Sequence, residues 1–407
     1  MSQLPRYESY KDSGVQWLGE IPSHWDVKRM KFVVANVGDK VDAKESDLRY
    51  FGLENIESFT GKLLDSVELE SEGIGHRFQK DDVLFGKLRP YLAKVFLAQE
   101  EGLSSTEALV FRSSEVIYPK FLSYYCLSQD FINEVNGTTF GSKMPRASWD
   151  DISSFRMVYP SLDEQKIIVD FLDKRLAQVD ALIAKQETLL EKLAEQRVAL
   201  ISHAVTKGLN PDVEMRLSRV DELGQIPNHW IETRLKFMAK IQNGCDYKHV
   251  QAEDGYPVIG SGGQFTYATE FLYQGESVLF GRKGTIDKPL YINDAFWTVD
   301  TMYYTEILEN TFPKFLYYCA LTIDFWKYST QTALPSMTQT VLSNLYFSIP
   351  EYDEQKQIAK YLDQKTEELD NQYAKVVEIR EKLKEYRSTL ITQVVTGKID
   401  VRNLKLN

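Results

Sequence analysis

The stretch PSLDEQKIIVDFLDKR at 160–175 opens a segment with no internal proline or glycine that runs to Gly208. PEYDEQKQIAKYLDQK at 350–365 opens a second, which runs to Gly397. Proline just upstream and glycine at the end are start and stop signals of a helix. From Asp163 to about Lys207, and from Asp353 to about Lys398, the sequence therefore predicts two helices of ~45 residues, each roughly 65 Å long at 1.5 Å per residue. A helix of that length has to bury an apolar stripe against something. In the second, Leu362, Leu369, Val376, Leu383 and Leu390 recur every seven residues, with Ile358 and Ile379 in a companion stripe. In the first, Leu172, Val179, Gln186, Leu193 and Leu200 take the matching positions, with Ile168, Leu182 and Leu189 beside them. Gln186 is the odd polar residue of this seam. A heptad pattern held this long predicts a coiled coil between the two helices. The alternative is that each helix packs only on its own domain.

Outward from the helices, the chain repeats itself. LGEIPSHW at 18–25 recurs as LGQIPNHW at 223–230, and KRMKF at 28–32 as TRLKF at 233–237. VLFG occurs at 83–86 and 278–281, PKFL at 119–122 and 313–316, and DEQK at 163–166 and 353–356. The order is kept while the spacing drifts, so the chain is one duplicated unit with different insertions in each copy. Upstream of each helix lies a mixed region. Segments such as YPVIGSGGQFTYATEF (256–271) and ESVLFGRKGTIDKPLYI (276–292) read as strands and hairpins, and shorter helices fit 119–131 and 313–325. The predicted class is α+β, with mixed domains at 1–160 and 209–350 and long helices within 161–208 and 351–407. If the helices run antiparallel, both ends of the second mixed domain fall at one end of the pair, and the chain need not retrace ~65 Å. An antiparallel coiled coil with pseudo-twofold internal duplication is the expected architecture.

These blocks, with VLFGKLRPYLAK (83–94), VLFGRKG (278–284), EKLAEQRVALISHAVTKG (191–208) and EKLKEYRSTLITQVVTGK (381–398), resemble the DNA specificity (S) subunits of type I restriction–modification systems. The resemblance covers nearly the whole chain. It implies that each mixed domain is a target recognition domain reading one half of a bipartite site on double-stranded DNA. It implies that the helices fix the spacing and dock methyltransferase (M) subunits, two in number, and that restriction (R) subunits join the larger complex. It also implies a chain that is not an enzyme and carries no cofactor, S-adenosylmethionine and ATP serving only the partner subunits. A duplicated single chain can diverge in its two readers, so the target is expected to be asymmetric. The rival reading is a coiled-coil scaffold or adaptor that binds proteins and not DNA.

The charge balance favours the rival at first sight. Lys and Arg number 48 against 59 Asp and Glu, a net charge of −11. Nucleic-acid binding usually needs a basic face. The distribution is uneven, however. Val41–Asp82 holds eleven acidic and five basic residues, whereas Val83–Lys94 holds three basic residues and no acid. Screening limits the reach of charge to ~10 Å, so local charge decides phosphate contact. No apolar run approaches the ~18 residues of a membrane span, the N-terminus lacks a signal-peptide core, and Cys126, Cys245 and Cys319 form no metal or disulfide pattern. A cytoplasmic location is expected.

Catalytic signatures are lacking in the sequence. There is no GxxxxGK[ST] phosphate loop, and NPDV at 210–213 does not match the NPPY-like motif of adenine methyltransferases. His24 and His229 are repeat-equivalent in a Pro-Ser/Asn-His-Trp turn, with no nucleophile repeating beside them, so a structural role is expected. Asp163/Glu164 and Asp353/Glu354 stand at helix starts, where the dipole favours them. The DNA-contact candidates are basic loop residues: Lys87, Arg89 and Lys94; Lys143 and Arg146 in GSKMPR (141–146); then Lys248, Arg282, Lys283 and Lys288. Such side chains either read guanine edges or hold phosphates. Trp149, Tyr247 and Tyr267 are aromatic candidates for base contact, with core packing as the alternative.

Overall fold

The computed structural model describes residues 5–64, 73–141, 143–330 and 335–404. The chain forms two compact units, one of residues 1–187 with 378–407, the other of residues 188–377. The α-helices, in chain order, are α1 (Pro119–Leu127), α2 (Gln129–Gly137), α3 (Trp149–Ser154), α4 (Leu162–Lys207), α5 (Pro313–Ala320), α6 (Phe325–Tyr328), α7 (Gln339–Ser343) and α8 (Tyr352–Val395). The long α4 and α8, of 46 and 44 residues, are the two predicted rods.

The first unit contains two four-stranded sheets. One has the strand order 39–42, 74–78, 102–105, 50–51; the other 34–36, 108–113, 83–86, 95–97. The strand Val83–Gly86 is buried along its whole length, because it is the inner strand between 95–97 and 108–113 and both of its faces are covered. In the second unit a single seven-stranded sheet runs in the order 239–243, 302–307, 273–281, 290–298, 256–260, 263–268, 251–252. Both units close the same way: Asp26–Arg29 pairs antiparallel with Arg156–Tyr159, and Ile231–Arg234 with Tyr346–Ile349. The third strand of each mixed domain is thereby tied to the last, just before its long helix.

Among the residues that repeat are those that anchor each mixed domain to its helix. Glu164 accepts from Tyr7 Oη (2.8 Å) and Trp25 Nε1 (3.1 Å), and its other oxygen lies 2.8 Å from His24 Nε2. Glu354 does the same for Trp230 Nε1 (3.3 Å) and His229 Nε2 (2.8 Å). These two glutamates are therefore more than dipole partners. They hold the buried tryptophan of the His-Trp turn, while Asp163 stays in solvent. Gln165 accepts from Tyr118 N–H and donates to Val116 O and Pro160 O. Gln355 accepts from Phe312 N–H and donates to Asn310 O and Pro350 O. Two turns further on, Asp173 takes Lys120 and Tyr124 of α1, and Asp363 takes Lys314 and Tyr318 of α5. The blocks HW, PKF and DEQ are one anchoring device, used twice.

The helices pair antiparallel. In the first unit Asp180 meets Arg387 at 2.8 Å, and in the second Arg197 meets Asp370 at 3.1 Å. Within the first unit Leu172 and Leu176 share a core with Leu390 and Val394 ahead of the Asp180–Arg387 pair. Within the second, Leu190 and Leu193 cluster with Leu369 and Val376, while Ile201 and Val205 cluster with Ile358 and Leu362, so the order along α8 runs opposite to that along α4 in each. Of the predicted seam, Leu172, Val179, Leu193, Leu362, Leu369, Val376 and Leu390 are buried, and Gln186, Leu200 and Leu383 are half-buried. The companion stripe is corrected in part. Ile168 and Ile358 are buried, but Leu182, Leu189 and Ile379 are exposed. The second buried row lies four residues after the first, not three. It holds Leu176 and Leu190 on α4, and Thr366, Arg387 and Val394 on α8.

Candidate nucleic-acid interface

The buried strand Val83–Gly86 delivers the chain into a tight turn, Lys87–Ala93. Arg89 (φ 51°) and Ala93 (φ 46°) both take the left-handed conformation, one on each side of Pro90–Leu92. Non-glycine residues in that region carry backbone strain, which the surrounding structure has to enforce. Here the enforcement is visible. Arg89 N–H donates to Pro145 O (2.8 Å), and Ala147 N–H to Lys87 O (2.9 Å). Phe140 and Arg146 exchange backbone hydrogen bonds in both directions (3.3 and 3.1 Å). The turn and the hairpin ending at Arg146 therefore form one unit.

Lys87 is half-buried, and Arg89 and Lys143 are exposed. The other two candidates of this group are engaged within the protein. Lys94 turns inward and donates from Nζ to Leu53 O at 2.6 Å. Arg146 pairs with Glu107, Nε to Oε2 at 3.0 Å, with Nη2 donating to Oε1 at 3.3 Å. The Glu107 contact holds the Arg146 guanidinium above its ordinary pKa.

The second unit repeats the frame. Here the strand Tyr273–Gly281 is followed by Arg282 and Lys283. Gly281 is required by close approach, since a Cβ there would lie 2.3 Å from Thr285 O. Gly284 N–H donates to Pro335 O (3.1 Å) and Met337 N–H to Arg282 O (3.0 Å). Arg282 is half-buried, with its guanidinium over the Tyr303 ring (5.8 Å) and Nη1 donating to Asp300 O (3.4 Å). Lys283 and Lys288 are exposed. Lys248 is exposed on a separate loop, which Cys245 N–H ties to Thr298 O at 2.9 Å. Trp149 packs on Phe111 (5.4 Å) and Tyr247 on Phe265 (5.2 Å), while Tyr267 is 39% exposed. Sequence reasoning missed Phe140, exposed at 74%, because phenylalanine reads as core. It also missed Glu107 as the acceptor for Arg146, which lies 39 residues earlier.

Among the described residues no group of three or more His, Cys, Asp or Glu is placed to hold a metal ion, and no helix is long and apolar enough to cross a membrane.

The profile of the type I restriction modification DNA specificity domain matches this chain twice, at residues 74–192 and 213–379. The chain belongs to that family, whose members are the DNA-sequence-recognising specificity subunits of type I restriction–modification systems. It is 24% identical over 434 residues to the type I restriction enzyme MjaVIII specificity subunit of Methanocaldococcus jannaschii, covering 94% of this chain and 95% of that one. It is 25% identical over 195 residues to the EcoDI specificity subunit of Escherichia coli, covering 46% of this chain and 43% of that one. A chain solved in work on assembly and conformational transition of a type I R-M system shares the fold, with a TM-score of 0.76 and 17% identity over 92% of this chain and 98% of the other. The HsdS subunit of Thermoanaerobacter tengcongensis aligns with a TM-score of 0.54 and 18% identity, covering 93% of this chain and 98% of its own.

Proposed function

We propose that this chain supplies DNA sequence recognition to a complex whose methylation and cleavage are carried out by other subunits. Each mixed domain reads one half of a bipartite, asymmetric site, and the paired α4 and α8 set the distance between half-sites. The observation that carries this reading is the repeated frame: the backbone hydrogen bonds Arg89 N–H to Pro145 O and Ala147 N–H to Lys87 O in the first unit have their counterparts in Gly284 N–H to Pro335 O and Met337 N–H to Arg282 O in the second, with basic residues at the exit of the same buried strand. The candidate phosphate contacts are Lys87, Arg89 and Lys143 in the first domain and Lys248, Arg282, Lys283 and Lys288 in the second. The helices dock two methyltransferase subunits, and restriction subunits join that core; S-adenosylmethionine and ATP belong to those partners. The test is an exchange of Glu45–Trp149 for the equivalent stretch of another specificity subunit, with the modified sites read by methylome sequencing. One half-site is expected to change. A change in both, or in neither, overturns the modular reading.

A further inference from the structure

The common frame of the two readers carries different side chains at its tip. The Phe140–Arg146 exchange in the first unit corresponds to Thr330 N–H donating to Ser336 O (3.1 Å) in the second, and the Leu88–Arg146 bridge to the Lys283–Ser336 bridge. Phe140 thus stands where the second reader has Thr330, and Arg146 where it has Ser336. In the second reader the two hydroxyls lie 2.8 Å apart. In the first, Phe140 is 74% exposed and Met144 53% exposed, although Phe140 is bonded to Arg146 and the neighbouring Pro145 to Arg89 through the backbone. A hydrogen-bonded frame that holds two large apolar side chains in water signals a contact surface. Its surroundings say for what. Lys87, Arg89 and Lys143 flank the tip, and the acid of the frame, Glu107, is neutralised by Arg146. The next acids, Asp150 and Asp151, lie past the hairpin in the first turn of α3. An apolar tip with Lys143 in its own loop, and with Lys87 and Arg89 on the turn bonded to that loop, fits a DNA groove, where phosphates form the rim and the floor offers base edges and thymine methyl groups.

Resting on the DNA-reading function above, we infer that Phe140 and Met144 are specificity-determining residues of the first reader, meeting bases by apolar contact while Lys87, Arg89 and Lys143 hold the flanking phosphates. Arg146 is a positioning residue. The second reader presents hydroxyls at the equivalent place, so the effect is confined to one half-site. The test is selection from random duplex DNA by the full chain with its methyltransferase partner, for the unsubstituted protein, Phe140→Thr with Met144→Thr, and Phe140→Leu. The double variant should lose about ten-fold or more of its discrimination at one half-site. Its other half-site should be untouched, and its salt slope should not change, since no phosphate contact is lost. Phe140→Leu, which keeps an apolar tip, should retain part of the preference. Unchanged discrimination, or equal relaxation of both half-sites, overturns the inference. Failure of the unsubstituted complex to enrich any sequence overturns the DNA-reading function itself.

Discussion

Glu164→Ala should destabilise the first unit far more than Glu354→Ala destabilises the second, although the two residues are repeat-equivalent. Glu164 is 8% exposed and receives Tyr7 Oη, Trp25 Nε1 and His24 Nε2 at 2.8–3.1 Å. Burial, reinforced by the negative charge of Glu164, pushes the Tyr7 phenol well above its ordinary pKa, so it donates at any physiological pH. Hydrogen bonds to a charged group contribute about 1.5–3 kcal/mol each, and they are not additive when they share an acceptor. Removing the carboxylate also leaves two buried donors unpaired, so the expected cost is about 3–5 kcal/mol. Glu354 is 31% exposed, has two partners and a longer tryptophan bond of 3.3 Å. Its loss should cost about 1–2 kcal/mol. Hydrogen exchange resolved by segment reports each unit by itself. Amides of the 26–29/156–159 ribbon should exchange about a hundred-fold faster or more in Glu164→Ala, against about ten-fold for 231–234/346–349 in Glu354→Ala, at 1.4 kcal/mol per ten-fold. Glu164→Gln, which keeps an acceptor, should recover part of the loss. Equal effects in the two units, or a change under two-fold for Glu164→Ala, would refute the anchoring argument.

Three further expectations follow from the same geometry. Burial works against the charge on Asp180, but hydrogen bonds from Lys62 (2.7 Å) and Arg387 (2.8 Å) outweigh it and hold the carboxyl below its usual range. A depressed folded-state pKa gives stability that is present above the ordinary carboxylate value, ~3.9, and is lost as the pH falls through the folded value; acid titration followed by exchange at 57–62 should show this, and Asp180→Asn should flatten it. Leu362→Ala, at a fully buried seam position, should cost about 2–5 kcal/mol in denaturant unfolding, whereas Ile379→Ala, 47% exposed, should stay within about 0.5 kcal/mol. Lys143→Ala should lower the log–log salt slope of DNA binding by ~0.9, while Arg146→Ala should leave the slope nearly unchanged because its guanidinium is committed to Glu107.

The long helices were legible because nothing in them competes with the helical reading: no proline, no glycine, and, Gln186 apart, leucine or valine every seven residues. The companion row was misassigned for a specific reason. Two of its members on α8 are Thr366 and Arg387, which a hydrophobic pattern skips, while Leu182, Leu189 and Ile379 fit the pattern and face solvent. Arg387 is buried by partners invisible to periodicity: Asp180, and the carbonyls of Phe59 and Thr60, 328 and 327 residues away. The same blindness affects the interface. A basic run shows that Lys87, Arg89 and Lys94 exist, but not that Lys94 bonds Leu53 O, 41 residues earlier. The glutamates of DEQ were visible as a helix start, whereas their role as acceptors for a tryptophan some 139 or 124 residues upstream required the fold.

That anchoring device also sets the rules for recombination. A foreign mixed domain is compatible with these helices when it brings a His-Trp turn for the glutamate, a backbone amide before its PKF helix for the glutamine, and Lys and Tyr one helical turn apart for the aspartate. Each contact spans a junction between a mixed domain and its helix, and none reaches the strained turn or the hairpin tip. Crossovers placed inside the domain's own sequence, after the His-Trp turn, keep that contact and exchange everything between. Outside the 59–62 segment, whose carbonyls and Lys62 meet Arg387 and Asp180, the interior is free to drift, so an exchange that keeps these contacts leaves the helices unchanged.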